Sequence, residues 1–428
     1  MSGETGQYDR RTVLQAAGAT GALGVAGLAG CIGSTDDDGG DGDGGGNGEV
    51  DFDTVQLGIL EPFTGDFAAL AEERNNGETL AVEEINQSDE FDFEFETEEY
   101  DTQLSPEDGV QAAQSAIQDD GAGFITGAIS SSVALSINEV AGNQEVVYTP
   151  GAADVSITGS NCNEYVFRFE TNTAQIAEVM TQWMVDNLGD KIHYQIADYA
   201  YGDSVREEVD RRMQDLSDGY EEVGFTSSAQ GATNFESVLT QIEDNTDAAD
   251  ALVVGATGGH LIRFLAQAAS RDLGNQIPIV TTTGSFGVVR GGAGTAGYNG
   301  EIYSGTRYVP GIETGDNQAF VEAYQNEYDS TPDNFSRVGY ESVYTIATGI
   351  QEAGSRDPTV VRETLSGLSR ETIFGEVTFR ECDQQATNPV WMAQNVAPDQ
   401  GEVADVELLT KLEGEEAIPA CDAVGCGL

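Results

Sequence analysis

Short apolar runs and amphipathic segments alternate along the chain after its first fifty residues. The run "TVQLGIL" has the length and composition of a strand, and "ETLAVEEINQ" repeats apolar residues at helical spacing. In "FDFEFETEEYD", Phe91, Phe93 and Phe95 recur at period two, which predicts a strand with one buried face. "SPEDGVQAAQSAIQDDG" predicts a helix with Ser105 as N-cap and Pro106 in the first turn. This alternation predicts a parallel sheet with helices on both faces.

The alternation restarts after "YVFRFE" and predicts a second sheet. Its helices are "AQIAEVMTQWMVDNLG", "DSVREEVDRRMQDL" and "GHLIRFLAQAASRDLG", and its strands are "KIHYQIADYAYG", "DALVVGAT" and "QIPIVTTTG". A folded body of about 380 residues normally exceeds one hydrophobic core, so length also favours two domains. The fold class is therefore α/β, with two mostly parallel sheets flanked by helices.

The N-terminal segment resembles an export signal. A basic start, a short apolar stretch and small residues before a cut site are typical of a secretory signal, and paired Arg10 and Arg11 resemble the twin-arginine type. "LAGC", which ends at Cys31, resembles a lipobox, in which the cysteine is lipidated. The alternative is an uncleaved membrane anchor, because no charge occurs between Arg11 and Asp36, but a glycine at every third position weakens such a helix. We expect residues 1–30 to be removed and the protein to be held outside the cytoplasmic membrane by its lipid alone.

The segment from residue 31 to residue 53 reads as a solvated tether. "STDDDGGDGDGGGNGE" has no apolar residue to bury. A calcium-binding loop is the alternative for its aspartates, but the two EF-hand registers place Gly40 or Gly45 at the fifth ligand position. We therefore expect no metal site here.

The charge balance is strongly acidic. The 428 residues include 75 Asp and Glu but only 18 Lys and Arg, which gives a formal net charge of −57. Such repulsion destabilises a compact state at low ionic strength, whereas the Debye length falls to about 3 Å near 1 M salt. The composition is therefore typical of a protein from a halophilic organism, such as a halophilic archaeon. Nucleic acid is excluded as a partner, because its phosphates would be repelled.

Four cysteines follow Cys31, and an exported protein meets oxidising conditions. Cys162, Cys382, Cys421 and Cys426 allow two disulfides in any of three connectivities. We favour a bond from Cys382 to one of the two C-terminal cysteines.

Motifs for enzymes are weak. "GAGTAG" matches the dinucleotide fingerprint, but it neither closes a predicted strand nor opens a predicted helix, so we interpret it as a loop and expect no cofactor. There is no G-x-S-x-G motif. The two histidines, His193 in a predicted strand and His260 at a predicted helix start, are better explained by packing or solvent exposure. We therefore expect no catalytic residues.

Ordered motifs across residues 54–400 resemble those of one family. "EPFTGDFAALAEERNNGETLAVEEIN" resembles its opening turn and long helix, and "SSSVALSINEVAGNQEVVYTPGAADVSIT" its serine-led helix with a following T-P-G-A strand end. "ADYAYG", "GYESVYTIATGIQEAGSRDP" and "GEVTFRECDQQATNPVWM" resemble its later segments. The chain thus resembles the type I periplasmic binding proteins, in the branched-chain amino acid and amide family of ABC-transporter substrate-binding proteins.

The resemblance implies two lobes joined by three crossings, with a small-molecule ligand between them and ABC-transporter permease subunits as partners. We place the crossings near Arg168, Thr306 and Gly375. The expected lobe boundaries are 54–167 with 307–374 for lobe 1, and 168–306 with 375–428 for lobe 2. The alternatives are a ligand-sensing receptor module and an amide-processing enzyme; the first would need a signalling segment, and the second a nucleophile paired with a base.

The expected ligand site lies in the cleft, beyond the carboxyl ends of the parallel strands, where helix N-termini present unpaired N–H groups. The serine cluster should hold a carboxylate or carbonyl oxygen, and two tyrosines should close the cleft from the opposite lobe. N-capping and core packing are the competing roles for these side chains. The candidate ligand-binding residues are Phe63, Asp66, Phe67, Ser130, Ser131, Ser132, Gly151, Ala152, Ala153, Tyr199, Tyr201, Thr257 and Thr283.

Two positions depart from the pattern that the resemblance implies for amino-acid-binding members. Ala153 stands where a hydroxyl residue follows T-P-G-A, and Thr283 stands where an acid would meet the ligand's ammonium. A buried ammonium without a partner is costly. A branched-chain amino acid, a neutral amide and a carboxylate without the amine all stay open as ligands.

Overall fold

The computed structural model describes residues 52–428. The predicted signal, Cys31 and nearly all of the predicted tether lie outside the described residues. Within the described part, no helix combines the length and apolar character that crossing a membrane requires. The strands are β1 (Thr54–Glu61), β2 (Glu94–Asp101), β3 (Phe124–Gly127), β4 (Val147–Pro150), β5 (Lys191–Asp198), β6 (Glu221–Ala229), β7 (Ala251–Gly255), β8 (Ile279–Thr281), β9 (Ile302–Thr306), β10 (Ser369–Thr372), β11 (Gly375–Thr378), β12 (Val390–Val396) and β13 (Asp405–Leu412).

The α-helices pack around these strands. They are α1 (Ala68–Gln87), α2 (Pro106–Gln118), α3 (Ser131–Gln144), α4 (Thr173–Asn187), α5 (Ala200–Leu216), α6 (Glu236–Glu243), α7 (Gly258–Ser270), α8 (Gly287–Ala293), α9 (Asn317–Tyr328), α10 (Asn334–Ala353), α11 (Pro358–Leu365) and α12 (Gly414–Ala417). His193 lies in β5 and His260 in α7, as the sequence predicts.

The strands form two main sheets, which we call the first and the second sheet. The first is parallel throughout, in the order β2-β1-β3-β4. The second has the order β13-β12-β9-β8-β7-β5-β6, with antiparallel pairing only between β9, β12 and β13. Strands β10 and β11 form a separate antiparallel pair. The predicted two-lobed α/β class is thus confirmed; we call the lobe around the first sheet lobe 1 and the other lobe 2.

Helices cover both faces of each sheet because strand side chains alternate between two cores. Leu57 of β1 shares a core with Ile346 of α10, whereas Leu60 shares one with Ile137 of α3. In the second sheet, Leu252 and Val253 are adjacent in β7 and belong to different cores, one with α7 and one with α4 and α5. This layering brings the carboxyl ends of the parallel strands to one edge of each sheet.

The exact lobe boundaries stay a prediction. Every strand of the first sheet falls within 54–167, and every strand of the second within 168–306 or 375–428. The predicted crossing at Gly375 coincides with the first residue of β11, and Val377 of that strand packs in the core of the first sheet.

Two disulfides join the four cysteines of the described part. Cys382 bonds Cys421, which confirms the expected bond from Cys382 to the C-terminal pair, and Cys162 bonds Cys426. The "GAGTAG" segment is not a loop: its first two residues end α8, and the rest lies in a 3-10 helix, Gly294–Tyr298. Val289 of α8 is fully buried in the core, so the helix that leads into the glycine-rich segment is held in place by packing.

A candidate ligand-binding cleft between the two sheets

A small cavity lies at the carboxyl ends of strands from both sheets. It is narrow in this structure: the space that a water-sized molecule can occupy is about 10 Å³, and the cavity is partly open to solvent. Its lining comes from the segments that follow β3, β4, β5, β7, β8 and β9, together with the start of α10. Parallel sheets place ligand sites in this position, because strand ends and helix N-termini converge there. The lining residues are Ile129, Gly151, Ala153, Tyr199, Tyr201, Thr257, Thr283, Arg307 and Phe335.

The serine cluster begins α3 beside this cavity. Ser131 Oγ accepts a hydrogen bond from the backbone N–H of Asp154 (3.3 Å), and Ser132 Oγ accepts one from the N–H of Ala200 in lobe 2 (3.4 Å). Ser130 is the N-cap residue, and its buried hydroxyl has no hydrogen-bond partner among the described residues. The cluster therefore begins the helix without a side-chain cap, and Ser132 links lobe 1 to lobe 2, while the neighbouring residue Ile129 lines the cavity itself.

Lobe 2 presents a second helix start to the cavity. Thr257 is the N-cap residue of α7, and its buried hydroxyl also lacks a hydrogen-bond partner in the described part of the chain. Gly258, which follows it, has a φ of +55°, a left-handed conformation that favours glycine. Thr283 Oγ1 donates to the carbonyl of Ala256 (2.9 Å), so this position contributes a satisfied hydroxyl where an acid was expected for an amino-acid ligand.

Tyr199 and Tyr201 line the cavity from the start of α5. The sequence pattern placed them at the end of a strand, but β5 ends at Asp198 and the helix begins at Ala200. The Tyr201 hydroxyl lies 2.6 Å from Thr282 Oγ1, in a hydrogen bond that either group can donate. Burial raises the pKa of both tyrosines above the ordinary value of 10, so their hydroxyls are neutral near pH 7.

Arg307 is a cavity residue that the sequence reasoning missed. It directly follows β9, and its side chain is 2% exposed. Its Nη2 donates to the Tyr201 hydroxyl (2.9 Å), and Nη1 lies 3.3 Å from Glu170 Oε2. The guanidinium stacks on the ring of Phe286, 5.1 Å from its centroid. A cation directly after the apolar strand "IYSGT", at a predicted crossing, is the signal that could have found it.

Glu170 holds two buried arginines. Its Oε1 lies 3.4 Å from Nη2 of Arg337, and its Oε2 accepts a hydrogen bond from Asn334 Nδ2 (2.8 Å) as well as facing Arg307. All three charged side chains are at most 2% exposed. Burial lowers the pKa of Arg337 from its ordinary value, and the attraction of Glu170 opposes that shift. The cluster therefore carries one positive charge more than Glu170 neutralises.

Seven of the predicted site residues do not line the cavity. Besides the three serines, Phe67 packs edge to face on Tyr199 in a core, and Phe63 is half-buried against the same core. Asp66 forms an ion pair with Arg263 of lobe 2 (2.6 Å), so its carboxylate is already engaged. Ala152 is buried in the core of lobe 1. Gly151, Ala153, Tyr199, Tyr201, Thr257 and Thr283 do line it.

Among the described residues, side chains that could act in acid–base catalysis or bind a metal ion do not converge at the cavity. Burial lowers the pKa of His260 to about 4 and that of His193 below its ordinary value, so both rings are neutral near pH 7. Neither ring lines the cavity. Within residues 52–428, no group of three or more His, Cys, Asp or Glu side chains could hold a metal ion. The arrangement can bind and enclose a small molecule, which defines a ligand-binding protein of two lobes.

Comparison with known proteins gives the family. The sequence pattern of the family described as "Periplasmic binding protein" matches residues 54–401. The chain is 28% identical over 339 residues to "Leu/Ile/Val-binding protein homolog 3" of Brucella melitensis, covering 76% of this chain and 87% of the relative. It is 24% identical to the "Leucine-, isoleucine-, valine-, threonine-, and alanine-binding protein" of Pseudomonas aeruginosa, with 77% and 86% covered.

Solved structures agree on the fold. An amino acid ABC transporter substrate-binding protein from Pseudomonas fluorescens superposes with a TM-score of 0.78 at 23% identity, covering 88% of this chain and all of that one. A solute-binding protein from R. palustris in complex with benzoate superposes with a TM-score of 0.76 at 21% identity, with the same coverage.

The chain belongs to the periplasmic binding protein family. Its relatives by sequence are named as binding proteins for leucine, isoleucine and valine and not as enzymes, so this chain is a solute-binding protein of the periplasmic binding protein family. The predicted recognition of the family, and the prediction that the protein is not an enzyme, are thereby confirmed.

Proposed function

We propose that this protein is a membrane-anchored lipoprotein that captures one small polar organic molecule and delivers it to an ABC importer. The observation that carries the proposal is the cavity lined by strand ends of both sheets. A ligand that touches both lobes favours the closed arrangement, because part of its contact surface exists only there. The proposed anchor is Cys31, whose lipobox precedes a solvated tether.

The proposed ligand carries an acidic or carbonyl oxygen. Relatives are named for leucine, isoleucine and valine, and the R. palustris neighbour is in complex with benzoate. Both kinds of molecule bear a carboxylate next to an apolar body. The cavity has matching features in the rings of Tyr199, Tyr201 and Phe335 and in its buried hydroxyl groups.

Ser131 and Tyr201 are the residues proposed to bind from the two lobes. Ser131 lies in the first turn of α3, where backbone N–H groups and its hydroxyl can hold a ligand oxygen, and Tyr201 packs over the ligand from α5. Losing one hydrogen bond to a charged ligand group corresponds to about 1.5–3 kcal/mol, or roughly ten- to over a hundredfold in affinity. Removing the tyrosine ring should weaken binding by a comparable factor.

The test starts from protein purified without refolding, whose bound ligand is released and identified by mass spectrometry. Calorimetry then compares the wild type with Ser131→Ala and Tyr201→Ala. Ser136→Ala is the matched control, because its side chain lies one turn further along α3 and bonds only the Ser132 carbonyl. If both site variants bind like the wild type while their far-UV spectra stay native, these two residues are not at the site.

A further inference from the structure

The charges around the cavity are one-sided. Among the lining residues of the described chain, Arg307 is the only charged one, and no Asp or Glu is present. An ammonium buried in this cavity would have no carboxylate to pair with, which is strongly unfavourable. Thr283, which stands where an acid was expected, has no negative charge, and its hydroxyl already donates to the Ala256 carbonyl.

We propose, on the basis of the transport function above, that the ligand is an organic acid without an ammonium group and that Arg307 binds its carboxylate. Arginine suits this role because its guanidinium can form two parallel hydrogen bonds to a carboxylate. Arg307 Nε has no hydrogen-bond partner among residues 52–428, although it is buried. One donor of the guanidinium therefore remains for a ligand.

The surroundings of Arg307 favour an anion over a neutral molecule. Glu170 is its only partner of opposite charge within 4 Å among the described residues, and Arg337 competes for that carboxylate. A ligand carboxylate would neutralise the surplus positive charge in a site that is shielded from water. Removing one member of a buried ion pair usually costs far more than removing one member of an exposed pair.

The remaining walls indicate the body of the acid. Tyr199, Phe335 and Ile129 offer aromatic and aliphatic surface. Thr257 offers a hydroxyl that lacks a partner in the described part of the protein, so it can bond an oxygen on the ligand. The class that matches the chemistry of these walls is a small aromatic or branched aliphatic acid, which would enter as the lobes open and could carry an oxo or hydroxy group toward Thr257.

The probes are benzoate with its neutral amide, benzamide, and isoleucine with its 2-oxo acid, which lacks the amine. Calorimetry is done on the full chain in high salt. We expect benzoate and the 2-oxo acid to bind. Benzamide and isoleucine should each bind at least about tenfold more weakly than the acid with which they are paired. Arg307→Gln should weaken binding of the acid by roughly ten- to a hundredfold and remove its preference over the amide.

Arg271→Gln is the matched control. It removes one arginine of lobe 2 that directly follows α7, pairs with Glu243 at the end of α6 and does not line the cavity. Its affinity for the acid should equal that of the wild type. Because Arg307→Gln could disturb the fold, the ratio of acid to amide affinity is read together with the far-UV spectrum.

Three results would overturn the inference. They are tighter binding of isoleucine than of its 2-oxo acid, an unchanged affinity in Arg307→Gln, and binding of none of the acids. The first two leave the transport function intact, because a small molecule still binds. If no probe binds and no small molecule is released from the purified protein, the proposed function fails as well.

The path of the last residues supports a second, independent inference. Ala417 of α12 lies in the core of lobe 2. The chain then runs past Arg380, which donates to the Pro419 carbonyl (2.5 Å), and is fixed by the bond between Cys421 and Cys382. Further along, Cys426 is bonded to Cys162.

Cys162 belongs to lobe 1. The preceding Ile157 is buried in a core of that lobe, and Asn138 of α3 donates to the carbonyls of Ile157 (3.0 Å) and Asn161 (2.8 Å). The tail also lines a polar cavity between the lobes, in which Val424 faces the same space as Asp154. The tail thus connects lobe 2, in which Ala417 is packed, to lobe 1 covalently at two points. The second point is Cys382, which lies between Phe379 and Ala386, two residues in the core of the first sheet.

We infer that the segment from Ile418 to Leu428 is a strap that limits how far the lobes open. Four residue steps lead from Ala417, in the core of lobe 2, to Cys421, so the chain between them cannot exceed about 14 Å. A limit on opening raises the population of the binding-competent arrangement, and apparent affinity rises with that population.

Hydrogen exchange in the ligand-free protein tests the strap. The first turns of α3 and α5 meet between the lobes, so their amides should exchange several-fold faster than in the wild type when Cys162, Cys382, Cys421 and Cys426 are all replaced by serine. Cys382→Ser/Cys421→Ser and Cys162→Ser/Cys426→Ser are the controls for disulfide loss. Each leaves the tail bound to lobe 1 through the other bond, so its rates should stay close to the wild type. Amides of β1 serve as the internal standard for global stability.

Equal exchange of the α3 and α5 amides in the fourfold variant and the wild type would overturn the strap. Equally faster exchange throughout, β1 included, would also overturn it, because it would mean that the disulfides stabilise the whole fold and do not restrain opening. Both outcomes are independent of the ligand and of the transport function.

Discussion

At the scale of single residues, the deepest charges of lobe 1 form a triad in which one carboxyl is neutral. Arg74 lies between Glu61 and Glu78, and all three side chains are fully buried. Burial raises the pKa of Glu61 to about 8, against the opposing pull of Arg74, and the nearby Glu78 raises it further. Two carboxyls thus share one guanidinium, and Glu61 keeps its proton at neutral pH. The triad matters to the cleft because cavity-lining Gly151 lies directly against the Arg74 side chain.

This pKa predicts how stability depends on pH. The folded state binds a proton at Glu61 that the unfolded chain loses near pH 4.5, so the free energy of unfolding should fall as pH rises from about 4.5 to about 8. Glu61→Gln mimics the protonated acid and should reduce that slope. Asp333, whose pKa burial raises to about 7, and Glu78, whose pKa burial also raises, leave a smaller slope in the variant. Urea unfolding of both proteins at several pH values in high salt measures the effect, and parallel curves would refute the assignment.

At the scale of elements, helix boundaries with a capping residue were predictable from sequence. Ser105 Oγ accepts from the Asp108 N–H (3.3 Å), and Pro106 begins α2, both as predicted. The end of β5 was misplaced because the apolar alternation continues through "ADYAYG", whereas the backbone already turns into α5 at Ala200. The local sequence pattern determines the start of α2, whereas tertiary packing of the tyrosines determines the end of β5.

Helix α1 illustrates the same limit. Periodicity marks only its second half, yet the helix runs from Ala68 through Asn75 and Asn76, which are weak helix formers. Gly77 fits because the backbone of Ser336 in α10 crosses there, and a Cβ would lie 1.9 Å from its carbonyl oxygen. That crossing is a property of the fold and is invisible in the local sequence.

The cleft could be predicted only in part. Positions after buried strands were found where a motif marked them, as for Gly151 and Tyr201. Arg307 was missed, because a lone arginine has no motif and reaches the cavity only through the strand order β9-β8-β7-β5. The resemblance suggested Asp66 as a ligand contact, but its carboxylate forms an ion pair with Arg263 of α7.

The cap of α2 gives a prediction at this scale. Ser105→Ala should lower the free energy of unfolding by about 1 kcal/mol, within a range of about 0.5–2, because the Asp108 N–H loses its acceptor. Ser115→Ala in the middle of the same helix is the control and should be neutral or slightly stabilising, since alanine favours helix. Denaturant melts in high salt compare them; equal stability of the two variants would contradict the capping role.

At the scale of the whole molecule, the net charge of −57 predicts a requirement for salt. At about 0.05 M salt the Debye length is near 14 Å, so exposed carboxylates repel one another across several residues, whereas molar salt screens them at about 3 Å. We expect the far-UV dichroism of the native state to be lost on dialysis to about 0.05 M salt and to return at molar salt. A cooperative native melt at the low concentration would contradict this.

The predicted anchor is also a property of the whole molecule. Cys31→Ser removes the proposed lipidation site, so the protein should leave the membrane fraction or remain as an uncut precursor. Cell fractionation and the mass of the mature chain measure this. An unchanged mass with unchanged membrane association would show that another segment holds the protein.

The central claim is that this substrate-binding protein closes on one small organic molecule between its two sheets. Native mass spectrometry of protein purified without refolding tests it most directly. The account predicts a complex with a single small organic anion, which is lost from Arg307→Gln and kept by Arg271→Gln. A protein that carries no small molecule, and binds none when organic acids, their amides and branched-chain amino acids are added, would contradict it.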